Sequence, residues 1–161
     1  MRKITAEQLD RCFSAATRYL SYRPRSESEL RERLRQRGFD SNSIEKVITR
    51  LKKQGLVDDT AFAQFWKDNR ESFSPRSRGL TRLELKRKGV AETTIDQVVN
   101  TIDDQDSAYR AALKKVRTLP QSDYQSFRRR LGEYLRRRGF SYGVINPAIR
   151  QAWQEQTGSS Q

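Results

Sequence analysis

The sequence predicts an all-α protein built from three tandem three-helix repeats forming an elongated curved array. The first observation is a repeat. A leucine, a glycine four residues on, an apolar residue directly after it and an isoleucine five further recur as Leu34, Gly38, Phe39, Ile44, then Leu85, Gly89, Val90, Ile95, then Leu135, Gly139, Phe140, Ile145. The glycines lie 51 and 50 residues apart, the mark of units that bury their faces against their neighbours. The second observation is that local signals are helical throughout and strand-like alternation is nowhere sustained. The third is a lean composition: of 161 residues 34% are hydrophobic and 33% charged. That suits small units sharing interfaces better than one large core.

In chain order, Thr5 followed by Gln8, and Ser26 followed by Glu29, have the spacing of a capping box and place two helix starts. Leu9, Cys12, Phe13, Ala16 and Leu20 share one face at helical period. Gly38, Gly55, Gly89 and Gly139 stand where a left-handed residue ends a helix, and Pro24, Pro75 and Pro120 mark breaks. The resulting helices are 6–21, 27–37, 42–54, then 59–73, 77–88, 92–103, then 106–117, 123–138 and 142–155. They group into repeats at 1–55, 56–104 and 105–161, the last with a short flexible tail from Thr157. Pro147 sits inside the last helix, where a missing N–H costs about 3 kcal/mol. A later start, with Asn146 capping a helix that begins at Pro147, would resolve the conflict.

The 33 Lys and Arg against 20 Asp and Glu leave a net charge of +13, which favours a polyanion or an acidic protein as partner. The charge is uneven. Residues 1–55 and 105–161 each carry +7, and residues 56–104 carry −1. A single cysteine makes no internal disulfide, and the first twenty residues are charged throughout, so the expected location is the cytoplasm. No run of about 18 apolar residues is present, so no membrane span is expected.

The chain has no histidine, which removes the commonest general base and metal ligand. Cys12, on an apolar helix face, reads as a small buried hydrophobe in preference to a nucleophile. Asp58-Asp59 and Asp103-Asp104 read as helix caps in preference to a cation site. No enzyme, metal or cofactor is expected. The basic residues are instead periodic. Arg35, Lys86 and Arg136 stand three residues before each glycine; Arg37, Lys88 and Arg138 stand one before it. Two readings stand: cations matched to the negative end of a helix dipole, or a binding face repeated along the array. The further arginines Arg31, Arg33, Arg128, Arg129, Arg130 and Arg137 exceed what dipole matching needs and favour the binding face. Among the aromatics, Phe62, Phe65 and Trp66 are expected to join the first two repeats. Phe39 and Phe140 are expected to pack against the helix caps, while Tyr22 and Tyr142 are the candidates for exposed contacts.

Four segments in order, YRPRSESELRERL (22–34), LVDDTAFAQFWKDNR (56–70), RGLTRLELKRKGV (78–90) and RRLGEYLRRRGFSYGVI (129–145), resemble motifs of the RecX family. The resemblance covers nearly the whole chain. It implies binding to RecA nucleoprotein filaments in their helical groove, inhibition of ATP hydrolysis and strand exchange, and DNA binding. The family brings no catalytic residues to transfer. An autonomous binder of single- and double-stranded DNA is the competing expectation, and the protein is expected to act as a monomer.

Overall fold

The computed structural model describes residues 3–120 and 123–158, and every regular element among them is an α-helix. The helices are α1 (Ala6–Tyr22), α2 (Glu27–Gln36), α3 (Ser41–Lys53), α4 (Asp59–Phe73), α5 (Arg78–Arg87), α6 (Glu92–Val99), α7 (Asp104–Val116), α8 (Tyr124–Arg137) and α9 (Tyr142–Gly158). Most ends fall within one or two residues of the sequence expectation. The exceptions are α9, which runs to Gly158 and not 155, and α6, which stops at Val99 and not at 103. Asn100 and Thr101 form a turn, and the Asp103 carboxylate accepts the Gln105 and Asp106 N–H groups to cap α7. Thr157 and Gly158, expected to open a flexible tail, lie within α9, and the rest of that expectation, at 159–161, falls outside the described residues.

The recurring leucine, glycine, apolar residue and isoleucine turn out to be two interleaved caps. Gly38, Gly89 and Gly139 have φ of +89°, +79° and +92°. Each glycine N–H reaches the carbonyl three back, on Arg35, Lys86 or Arg136. The next N–H, from Phe39, Val90 or Phe140, reaches the leucine carbonyl of Leu34, Leu85 or Leu135 at 3.1–3.2 Å. This is the Schellman arrangement, in which a left-handed residue satisfies the last orphan carbonyls of a helix. The same apolar residue then precedes the cap of the following helix, and the isoleucine is that helix's fourth residue. These are the two partners of a hydrophobic staple. One side chain thus closes one helix and sets the entry angle of the next. Leu135, Phe140 and Ile145 accordingly share one core, and Leu34 and Ile44 share another, with Phe39 packed against it.

The chain divides into two compact units that cut through the middle helices. The first comprises the chain up to Trp66 with Leu85–Ile95, and the second Lys67–Glu84 with Asp96 onward. In the first, α1, α2 and α3 close over Cys12, Ala16, Leu30, Leu34, Ile44, Val47, Ile48, Leu51 and Val57. In the second, small residues Ala108, Ala111 and Ala112 of α7 let α9 approach closely. Phe127, Leu131 and Leu135 of α8 complete that core with Ile145, Ala148, Ile149 and Ala152.

Pro147 does not delay α9. The helix begins at Tyr142, where the Val144 and Ile145 N–H groups bond to the Ser141 carbonyl, and runs through the proline. The proline ring sacrifices the bond to the Gly143 carbonyl. Ile145, Ala148, Ile149 and Ala152 on the same helix are all at most 4% exposed. Burying that face outweighs one lost bond.

Candidate partner and nucleic-acid interface

The repeated cations divide according to what lies opposite them. Within the first unit, the N-terminus of α2 abuts the C-terminal end of α5. The Ser26 hydroxyl donates to the Lys88 carbonyl at 2.6 Å while accepting the Glu29 N–H at 3.1 Å. The Lys88 ammonium donates to the Glu29 carboxylate at 2.9 Å and lies 5.2 Å from the centre of the Trp66 ring. Glu29 is therefore not the second half of a capping box; its carboxylate is held between Lys88 and Arg23. Within the second unit the same joint is rebuilt. The Ser77 N–H donates to the Arg138 carbonyl at 3.0 Å, and the Arg138 guanidinium bonds to the Ser74 hydroxyl and lies over Tyr134. Both joints are too close for a side chain at the glycine. A Cβ at Gly89 would stand 2.1 Å from Ser28 Oγ, and one at Gly139 would stand 2.4 Å from Ser77 Oγ and 2.7 Å from Leu80 Cβ.

The paired aspartates serve the same joints. Asp58 and Asp103 cap their own helices. Asp59 accepts the Glu27 N–H at the start of α2 (2.8 Å) and Asp104 the Arg78 N–H at the start of α5 (2.7 Å). Burial raises the Asp59 carboxyl above its ordinary range, against the pull of that hydrogen bond. Lys88 and Arg138 are thus parts of the fold. So is Arg31, which donates from Nε to Glu45 at 2.8 Å and reaches Glu27 at 3.2 Å, tying α2 to α3.

The other predicted cations are exposed, and five of them gather in two places. Between α8 and α9 lies a groove of about 470 Å³, floored by Gly132, Ile145 and Ile149 and walled by Arg128, Arg129, Arg136 and Tyr142. Arg136 stacks 4.7 Å above the Tyr142 ring, which is 61% exposed. Arg150 and Tyr124 extend the wall beyond Arg128, and among the described residues Glu133 is the acid that lines it. Arg130 and Arg137 are exposed on α8 but do not line the groove. In the first unit, Arg18, Arg33, Arg37, Tyr19 and Tyr22 surround a cleft of about 260 Å³ between α1 and α2. The Tyr19 ring carries Arg25 at 4.0 Å and Arg33 at 5.5 Å, and Tyr22 is 71% exposed beside it. Arg35 is spent on Glu32 and Lys86 on Glu92, both pairs largely exposed and worth little.

Three family models cover the chain in order. RecX, first three-helix domain, matches residues 12–51; RecX, second three-helix domain, matches 58–99; RecX, third three-helix domain, matches 103–149. The Regulatory protein RecX of Chlorobaculum tepidum is 37% identical over 145 residues, covering 90% of this chain and 90% of that protein. The chain belongs to the RecX family. The Regulatory protein RecX of Amycolatopsis mediterranei is 32% identical over 84% of this chain and 79% of its own. The crystal structure of RecX from Lactobacillus salivarius superposes with a TM-score of 0.73 over 92% of this chain and 98% of that one, at 22% identity. The tandem helical repeat is therefore the family's fold.

Sequence reasoning missed Arg18, Arg25, Tyr19 and Arg150. The last had a readable signal, since Tyr142, Asn146, Ile149 and Arg150 follow one another at helical spacing along a single stripe. The Tyr19 stack had none, because Arg25 lies beyond the end of α1. Cys12 is fully buried, and burial pushes its thiol up to about 11, which removes it as a nucleophile at neutral pH. Among the described residues no group of three or more Cys, Asp and Glu is arranged to hold a metal ion, and no helix is long and apolar enough to cross a membrane.

Proposed function

We propose that this chain is a non-enzymatic, monomeric regulator of RecA that acts in the cytoplasm, binds the RecA nucleoprotein filament and slows its ATP hydrolysis and strand exchange. The observation that carries this reading is the α8–α9 groove. Arg128, Arg129, Arg136 and Arg150 gather around an apolar floor beside the exposed ring of Tyr142. Guanidinium groups match phosphates and carboxylates in bidentate geometry, and an exposed ring among them stacks on a base or packs a partner side chain. Membership in a family whose named relatives are regulatory proteins supports the same reading. Two ends of like charge, +7 each, repel other copies and favour a monomer. The test is RecA's DNA-dependent ATPase, titrated with this protein: a progressive fall is expected, and no effect at any ratio refutes the proposal.

A second reading, autonomous binding to single- or double-stranded DNA, is favoured by the Arg25 and Arg33 stack on Tyr19 with Tyr22 alongside. Such binding falls steeply with salt as counterions are released. Negligible affinity for either form of DNA at low salt would sink it.

A further inference from the structure

The end of α2 repeats the two cap bonds that close α5 and α8. Gly38 has the same left-handed backbone, and Phe39 makes the same bond back to Leu34. Yet the two later ends are each covered by the N-terminus of another helix of this chain, and among the described residues no helix start covers this one. No described atom lies within 4 Å of a Cβ placed on Gly38. No hydrogen bond from a described residue reaches the Arg37 carbonyl, the group that corresponds to the occupied carbonyls of Lys88 and Arg138. The Arg37 side chain, which corresponds to the lysine held by Glu29 and the arginine held by Ser74, is exposed and has no ion pair among the described residues. Lys3 and Ile4 ahead of α1, with Arg11, Arg37, Phe39 and the single acid Asp40 of its described lining, border a hollow of about 380 Å³ at this point.

We infer that the Arg37–Gly38–Phe39 end is a docking site for the N-terminus of a helix on another protein, one capped by a hydroxyl and carrying a carboxylate in its first turn. The chemistry of the occupant is read from the occupied joint. The Ser26 hydroxyl supplies the bond to the carbonyl, Glu29 supplies the carboxylate for the cation, and the glycine allows the backbones to meet. A second copy of this chain is not the occupant. The helix that would have to dock, α8, starts one turn early relative to α2 and α5, so that Phe127 stands where they have Ser26 and Ser77, and Arg128, Arg129 and Arg130 follow. Those arginines would meet Arg11, Arg33 and Arg37. The inference rests on the reading above in placing the docked helix on the RecA filament.

The full chain, fluorescently labelled, is titrated with RecA filaments formed on single-stranded DNA. The decisive variant is Gly38→Asn, because asparagine tolerates the left-handed backbone while its side chain fills the docking space. Gly55→Asn is the matched control, since Gly55 also has positive φ (+73°) and open surroundings. Arg37→Glu, on an exposed side chain, tests the charge without touching the backbone. Gly38→Asn and Arg37→Glu are each expected to weaken filament binding about tenfold, the effect of one lost interfacial contact of this kind, with Gly55→Asn unchanged. Wild-type binding with both Gly38→Asn and Arg37→Glu equal to wild type overturns the docking site and leaves the filament reading intact. A wild-type protein that does not bind filaments overturns that reading and, with it, this assignment of the partner.

Discussion

The ends of α2 and α8 are the same local structure set in opposite surroundings. Leu34–Gly38–Phe39 and Leu135–Gly139–Phe140 fold with the same two backbone bonds and the same left-handed glycine. At Gly139 the start of α5 presses against the glycine, and Arg138 is drawn into a bond with Ser74. At Gly38 no described atom comes that close, and the Arg37 side chain is exposed. A periodic cation in a repeat protein therefore has no fixed role: it holds the fold together where another helix abuts it and is available to a partner where none does.

The comparison breaks most sharply at the glycines themselves. Gly139→Ala incurs the left-handed penalty of about 1–2 kcal/mol and a clash with Ser77 and Leu80, worth roughly another 1–3 kcal/mol. Gly38→Ala incurs only the first. Urea unfolding should place Gly139→Ala well below Gly38→Ala, and equal midpoints would mean that the α5–α8 joint yields freely. Next in size is the groove. Changing Arg128, Arg129 and Arg136 together to Ala should leave the unfolding midpoint within error, because all three are exposed. It should lower affinity for single-stranded DNA or filaments by about 10–100-fold and flatten the salt dependence by about two in log–log slope. A loss of stability instead of affinity would assign these arginines to the fold.

How much of this was legible in the sequence follows from the range of each interaction. The caps and staples join residues no more than about ten apart, so Leu34–Gly38–Phe39–Ile44 and its two copies announced helix ends, and nearly every boundary, directly. Pro147 misled because its cost is local and visible, whereas the burial that offsets it involves α7 and α8. The cations could not be sorted at all. Lys88 is fixed by Glu29 and Arg138 by Ser74, about sixty residues away in each case. Nothing near Lys88 in sequence separates it from Arg37. The spacing of exposed arginines on α8, and of Arg150 with Tyr142 and Asn146 on α9, was readable, but the Tyr19 stack needed the helices brought together.

A smaller test compares Lys88 with Arg37 directly. Lys88 is half-buried against Glu29, whose side chain is only 11% exposed. Lys88→Ala leaves that carboxylate to Arg23 alone and should cost about 1–2 kcal/mol, discounted from a fully buried pair because Lys88 is itself partly solvated. Arg37→Ala should stay within about 0.5 kcal/mol, as an exposed side chain without structural partners does. Guanidinium chloride unfolding of the two variants separates them, and equal losses would mean that Arg37 has a role in the fold.

The smallest effect concerns how the next helix is started. Asp40 caps α3 by accepting the Ser43 N–H at 3.1 Å, while Ala91 and Ser141 stand at the corresponding points before α6 and α9. Hydrogen bonding to Ser43 holds the Asp40 carboxyl below its ordinary 3.8. A carboxyl whose folded pKa is depressed contributes stability above its unfolded value and loses it as pH falls through the folded one. The stability gap between wild type and Asp40→Asn should therefore be constant from neutral pH down to about 5 and narrow below 3.8. A gap that persists unchanged into acid would show that it does not come from the charge of the carboxylate. Ala91→Asp carries the comparison to the second repeat. It should add the same acid-sensitive increment at the start of α6, where the cap position is equally exposed and only the side chain is missing.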